Sequence, residues 1–196
     1  VPWARAYKTA LVKNNTVVFT MGRTSAREAL FHWVGPIVQK KWVFYALKKR
    51  GMLIKNLGDA KQFTVGVVSN DARAQYLKAE GFESIYEVSD HQIAVNMLLK
   101  ERIDLWASSD FEGPVIIKNS GHKSNNFEIT FSIKKIESYI AISKKTPINI
   151  VNKWQKTFSD IKADGTLNRI AEKWSTLSGM DITGENGVIA FKENPS

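Results

Sequence analysis

The sequence predicts an α/β protein whose mostly parallel sheets are flanked by helices, and three observations predict it. Between Phe63 and Ala107, short apolar runs alternate with helical patterns. That alternation implies a parallel sheet with helices on both faces. Near the end of the chain, two amphipathic helical patterns follow each other across Asp164-Gly165. Finally, 196 residues with 43% hydrophobic content suffice for one ordinary domain or two small lobes, which sets aside disordered and fibrous classes.

The elements follow in order. Residues 4–13 place Ala6, Ala10 and Leu11 at helical spacing, so a short amphipathic helix is expected before the Asn14-Asn15 break. Thr16–Thr20 reads as a strand. A helix beginning near Thr24 is expected next, then a Gly35-Pro36 turn and a strand at Trp42–Leu47. Phe63–Val68 is a continuous apolar strand, and Asp71–Glu80 is a helix stopped by Gly81. Ile85–Val88 is a strand. His91–Lys100 is a helix with Ile93, Met97 and Leu98 on its apolar face, and Asp104–Ala107 is a strand. Ser138–Ile142 is a further strand. Helices from Ile148 to Ala163 and Thr166 to Leu177 follow, with apolar positions from Ile150 to Trp174 at helical spacing. The Gly-rich, polar stretch from Ser178 to Ser196 is expected to be loosely packed or strand-like.

Lys and Arg outnumber Asp and Glu, 28 to 19, and the net charge of +9 favours anionic partners. The basic residues occur in scattered pairs such as Lys40-Lys41 and Lys134-Lys135, without the dense stripe of a dedicated nucleic-acid binder. With no cysteine, disulfides, thiolate zinc sites and cysteine nucleophiles are excluded. No apolar run approaches the roughly 18 residues of a membrane span. The opening VPWARAYKTALVK lacks the features of a signal peptide, so an exported form would be a processed or trimmed one.

The case for catalysis or metal binding is empty at this level. His32, His91 and His122 stand in no metal-binding spacing, and no GxSxG, Walker or dinucleotide-binding pattern occurs. Asp104, Asp110 and Glu112 are near one another in sequence, but spacing alone does not make an acid–base pair. No cofactor and no metal site is expected.

Two stretches favour anions. In FTMGRTSAREALFHWVGPI, Thr24 is expected to cap a helix whose first turn carries Arg27. A guanidinium there would meet a carboxylate bidentately, aided by the helix N-terminus. The same residues also suit a solvent-facing cap whose arginine pairs with Glu28 or another acid. In the other half, VGVVSND runs from a buried strand into a helix start, with Ser69, Asn70 and Asp71 as caps. Strand ends opening onto helix N-termini are where open α/β sheets bind ligands.

In this order the segments resemble the solute-binding proteins of ABC importers, in particular the polar-amino-acid group known as extracellular solute-binding protein family 3. RTSAREALFHWVGPI is similar to that family's Thr-x-x-Arg segment, and KWVFYALKK to the crossing strand after it. LGDAKQFTVGVVSND resembles the start of its second lobe, ERIDLWASSD its Arg-x-Asp-Ala strand, and KADGTLNRIAEKW its ending. The resemblance covers roughly residues 1–177.

The resemblance implies a two-lobed type II periplasmic-binding fold joined by two crossing strands, Trp42–Leu47 and Ser138–Ile142. Lobe one would be residues 1–46 and 143–177, lobe two residues 47–142, with 178–196 a tail. It further implies that Arg27 grips a ligand carboxylate and that Thr20 and Gly22 contribute nearby contacts. Gly22 stands where the family often has a hydroxyl. Ser69 and Asn70 match the carboxylate contacts of lobe two. Ser109 stands where the family has the acid for an α-amino group, with Asp110 one place later. Family members also carry further residues ahead of this start, supplying a central strand and a ligand-packing aromatic.

The expected function is therefore a non-enzymatic periplasmic protein. It would capture a small anionic or zwitterionic carboxylate by lobe closure and pass it to an inner-membrane ABC permease. It would act as a monomer unless a second chain completes lobe one, and it would bind no nucleic acid. A ligand-sensing module of a signalling protein is the alternative, with a dehydratase-like enzyme on the same fold behind it.

Overall fold

A computed structural model describes residues 1–192. The expected tail therefore lies partly outside the described residues, at 193–196. The chain divides into two compact units, Val1–Ala6 with Lys41–Lys135, and Tyr7–Lys40 with residues from Ile136 on. In chain order the elements are α1 (Trp3–Val12), β1 (Val17–Gly22), β2 (Phe31–Leu47), β3 (Val65–Val68), α2 (Ala72–Ala79), β4 (Ile85–Val88) and α3 (His91–Leu99). Then come β5 (Leu105–Ser109), α4 (Gly113–Asn119), β6 (Phe127–Ser143), α5 (Ile148–Ala163), α6 (Thr166–Ser178), β7 (Ile182–Thr183) and β8 (Ala190–Phe191). The fold is α/β, with a sheet flanked by helices as expected.

In the first unit β3 pairs in parallel with β4 and with β5, and β5 pairs antiparallel with β2, Trp42 opposite Ser109. Side chains alternate across a strand, so each strand feeds two cores. Val43, Tyr45, Val68 and Trp106 join Ala94, Val95 and Leu98 of α3 and Ile117 of α4 on one face. Phe44, Ala46, Val65, Val67, Leu105 and Ala107 join Ala74 and Leu77 of α2 on the other. Strands covered on both faces favour apolar residues, which is why β3 and the Leu105–Ala107 part of β5 read as hydrophobic runs; β5 then ends in the buried Ser108 and Ser109.

In the second unit β1 and β6 run antiparallel, Val17 opposite Ile142, with an irregularity between Val18 and Met21. The parallel pairing is thus that of the first unit. The core here joins Val34, Ile140 and Ile142 to Val151 and Phe158 of α5 and Leu167 of α6. β7 and β8 form a two-stranded ladder, and Val38 bridges to Ile189. The stretch after Ser178 is strand-like over these short segments.

Several sequence expectations need correction. Gly35-Pro36 is not a turn; β2 runs through it from Phe31, with a cis peptide bond between the two. Gly35 is required there, because a Cβ would sit 2.7 Å from the Tyr139 ring. β6 begins at Phe127, well before Ser138, since its first half is half-exposed and carries no apolar run. Leu98 is buried and Met97 packs on the core as expected, but Ile93 is 40% exposed, and Ala94 and Val95 complete the buried face of α3. Asp90 caps Ile93 N–H, which places Ile93 on the exposed first turn. Helix α4 was not foreseen, because its Gly-Pro start reads as a turn and its seven residues are short.

Candidate functional site

The second unit presents Thr20, Gly22 and Arg27 at the end of β1 and just after it. Thr20 is exposed with a left-handed φ of 57°, at the irregularity in the β1–β6 ladder. Gly22 faces Ser138 across the ladder. Ser25–Leu30 forms a 3₁₀ segment, not an α-helix, and Thr24 does not cap it with its side chain. Thr24 has the extended conformation of a cap, but its backbone carbonyl accepts the Arg27 N–H at 2.9 Å. Its hydroxyl and that of Ser138 are buried, with no hydrogen-bond partner among the described residues.

Arg27 is only 1% exposed, and its guanidinium carbon lies 4.7 Å from the ring centroid of Tyr7 on α1. Burial beside an aromatic face suits a guanidinium, whose charge the ring quadrupole attracts. Glu28, the acid nearest in sequence, is held by another residue. Arg23 grips both its oxygens at 2.5 and 2.7 Å and stacks over Tyr139 at 5.0 Å and Trp33 at 5.7 Å. The hydrogen bonds from Arg23 lower the Glu28 carboxyl below its ordinary range; desolvation opposes them, and the charges of Arg23 and Lys144 add to the lowering.

In the first unit the predicted residues fall at the C-terminal ends of two neighbouring parallel strands. Ser69 extends the β3–β4 ladder by donating its N–H to Val88 O at 2.8 Å. Asn70 follows with a φ of 59°, and its carbonyl accepts the indole N–H of Trp3 at 3.0 Å. Ser109 ends β5 fully buried; its hydroxyl accepts Glu112 N–H at 3.0 Å. Asp110 continues the pairing with β2, donating its N–H to Lys41 O at 3.1 Å and accepting Lys41 N–H on Oδ1 at 2.9 Å. Ser69, Asn70, Ser109 and Asp110 thus share one edge of this unit's sheet, while Thr20, Gly22 and Arg27 belong to the other unit.

Sequence reasoning missed a charged cluster on that same edge. Asp71 caps α2 and is gripped by Arg73, whose guanidinium also reaches Glu112 at 3.0 Å and lies 3.4 Å from His91 Nε2. Trp106 donates its indole N–H to His91 Nδ1 at 3.2 Å. Burial pushes the Asp71 carboxyl up, but the charge and hydrogen bonds of Arg73 outweigh it and hold the group below its ordinary value. The sequence carries one faint signal for this, an Asp-x-Arg at a helix start. Trp3 and Tyr7 were likewise overlooked, because α1 was read through its alanines.

Among the described residues no cluster of three or more His, Cys, Asp or Glu could hold a metal, and no helix is long and apolar enough to cross a membrane. A cavity of about 700 Å³ in the second unit, lined among others by Trp33, Ser159, Lys162 and Asn168, contains none of the predicted residues.

These features define a fold of the periplasmic-binding-protein type, and comparison with solved structures bears on it directly. A histidine kinase sensor domain with similarity to periplasmic binding proteins matches with a TM-score of 0.79 at 14% identity, over 88% of this chain and 75% of that one. The arginine-, lysine-, histidine-binding protein ArtJ from Geobacillus stearothermophilus matches with a TM-score of 0.73 at 16% identity, over 89% and 75%. An ABC uptake transporter substrate-binding protein from Streptococcus pneumoniae, with bound histidine, matches with a TM-score of 0.74 at 16% identity, over 89% and 73%. At these identities the likeness is one of fold. No family model matches the chain, and no curated protein matches it in sequence.

Proposed function

We propose that this protein is a solute-binding protein for a small polar carboxylate of the amino-acid type, with Arg27 as the carboxylate grip. The observation that carries the proposal is the setting of Arg27. It is buried in the 3₁₀ segment that follows β1, with its guanidinium over the ring of Tyr7. A buried guanidinium beside an aromatic ring is suited to a ligand carboxylate in a way that a surface cap is not. Thr20 and Gly22 would add contacts from the same unit. Ser69, Asn70, Ser109 and Asp110 would supply those of the other, with Asp110 facing the ligand amine.

In this reading each of the two units would correspond to one lobe. Delivery to an ABC permease, extracytoplasmic location and family 3 membership belong to this same reading. Neighbours that bind arginine or histidine support it. A second reading, the ligand-sensing module of a signalling protein, is favoured by one specific observation, the likeness to a histidine kinase sensor domain. Both readings use the site for binding, without turnover.

Calorimetric titration with L-arginine, L-histidine and succinate tests the proposal. One of them is expected to bind, and Arg27→Ala to weaken it by about 2–5 kcal/mol, the usual loss when a buried charge pair is broken. An Arg27→Ala protein that binds like the parent would overturn the assignment.

A further inference from the structure

We infer that the cavity of the second unit is a separate binding site, one that takes a small organic anion carrying a flat ring. The cavity holds about 700 Å³, inside the roughly 300–1,000 Å³ typical of small-molecule sites. It lies within the second unit alone and includes none of Thr20, Gly22 or Arg27. Three walls build it. Trp33 and Val34 of β2 form the first, and the C-terminal turns of α5 from Gln155 on form the second. The loop at 184–187 forms the third and is fixed at both ends. Gly184 N–H donates to Asn168 Oδ1 at 3.2 Å, while Ile189 donates to Ile37 O and accepts Gln39 N–H on β2, each at 2.8 Å. The polar tail that follows α6 thus closes a space of ligand size.

The lining combines ring surface with positive charge. The indole N–H of Trp33 is taken by Glu28 O at 3.1 Å, so the ring offers the cavity its apolar surface, and Phe158 adds another ring. On α5, Gln155, Ser159 and Lys162 recur at intervals of four and three and share one face. They span about 10 Å at the helical rise of about 1.5 Å per residue. Lys162 is half-buried, and its stem lies over Gly187, where a Cβ would come 2.5 Å from Cε. Among the described residues it forms no ion pair. Asp160 is held by Lys156 at 2.9 Å, and Asp164 accepts Thr166 N–H at 2.8 Å. Arg169, beside Gly165, donates to the Asp164 carbonyl and the Thr166 hydroxyl, not to a carboxylate. An anion reaching Lys162 would make a charge-assisted hydrogen bond that the chain itself does not supply. A ring on the same ligand would stack on Trp33, and stacking tolerates many ring chemistries.

Titration calorimetry on the full chain tests the proposal with adenosine monophosphate and indoleacetate. Both join a flat ring to an anion, one as phosphate and the other as carboxylate. One of them is expected to bind, with adenosine and inorganic phosphate, the ring and the anion apart, at least about tenfold weaker. Lys162→Met should weaken the bound probe by about tenfold, the usual worth of a hydrogen bond to a charged group. Trp33→Leu should weaken it by about as much, through lost stacking. In amide NMR spectra of the parent, the probe should shift Ser159, Lys162 and Gly187, and excess L-arginine or L-histidine should not reverse those shifts. Because Trp33 also packs on Phe31 and Tyr139, the Lys162→Met titration and the NMR shifts decide if Trp33→Leu fails to fold. Absence of binding by either probe at millimolar concentration, binding that Lys162→Met leaves unchanged, or shifts confined to the surroundings of Arg27 would each overturn the second site. The amino-acid site is judged separately, by the Arg27→Ala titration.

Discussion

The Arg73 guanidinium holds both carboxylate oxygens of Asp71, through Nε at 2.7 Å and Nη2 at 2.9 Å, and reaches Glu112 with Nη1 at 3.0 Å. The arginine side chain is 6% exposed and that of Asp71 15%. One cation thereby ties the start of α2 to the residue preceding α4. Removing it strands a buried carboxylate, so Arg73→Met should cost about 3–5 kcal/mol. For a chain of this size that is a fall of roughly ten degrees in the thermal midpoint.

Acid should erase the same stabilisation. With its folded pKa held below the ordinary value, Asp71 contributes stability that is complete above the unfolded pKa. That contribution declines as pH falls through the lowered folded value. Urea unfolding at neutral pH and again below about pH 4, the ordinary carboxylate range, should therefore show the gap between parent and Arg73→Met narrowing in acid. A gap independent of pH would mean that Arg73 acts through packing alone.

Gly66 lies where β3 passes close to Ile103. A Cβ there would stand 2.4 Å from Ile103 Cδ1, and Ile103 is itself 1% exposed. Gly66→Ala is expected to destabilise by about 1–3 kcal/mol, as overpacking does. Ile103→Val removes the clashing methyl and alone costs about 0.5–1.5 kcal/mol. Combined, the two should cost at least about 0.5 kcal/mol less than their sum, which denaturant titration of all four proteins would detect. Strict additivity would place the strain elsewhere.

Asp110 separates amino acids from plain carboxylates. If it faces a ligand amine, Asp110→Ala should weaken binding of an α-amino acid by about tenfold or more, the worth of a charge-assisted hydrogen bond. Binding of succinate, which has no amine, should be unchanged. Parallel losses for both ligands would instead point to the Lys41 contact, which the substitution also removes.

Some of this architecture was legible because a single physical signal sufficed. α5 and α6 keep a helical apolar period on either side of Asp164-Gly165, and the observed Ile148–Ala163 and Thr166–Ser178 agree with that reading to a residue. β4 is Ile85–Val88, as its pattern predicts. β2 and β6 were each read as only their buried ends, because half-exposed residues carry no continuous apolar run. The proposed binding residues are a different matter. Their identities came from a likeness of motifs, and local chemistry by itself left Arg27 open between a ligand and Glu28.

The sequence by itself determined the α/β class, the parallel run from β3 to β5, the paired C-terminal helices and the lack of any cysteine chemistry. Each follows from periodicity or composition, which act between near neighbours in the chain. Only the tertiary structure decided that Glu28 belongs to Arg23, that Arg73 closes on Asp71 and Glu112, and that Trp3 and Tyr7 stand on Asn70 and Arg27. Those pairings hinge on which side chains folding brings within hydrogen-bond or ring-contact distance. A buried charge takes the partner that geometry offers, and Asn70, 67 residues from Trp3, is out of reach of any pattern read along the chain.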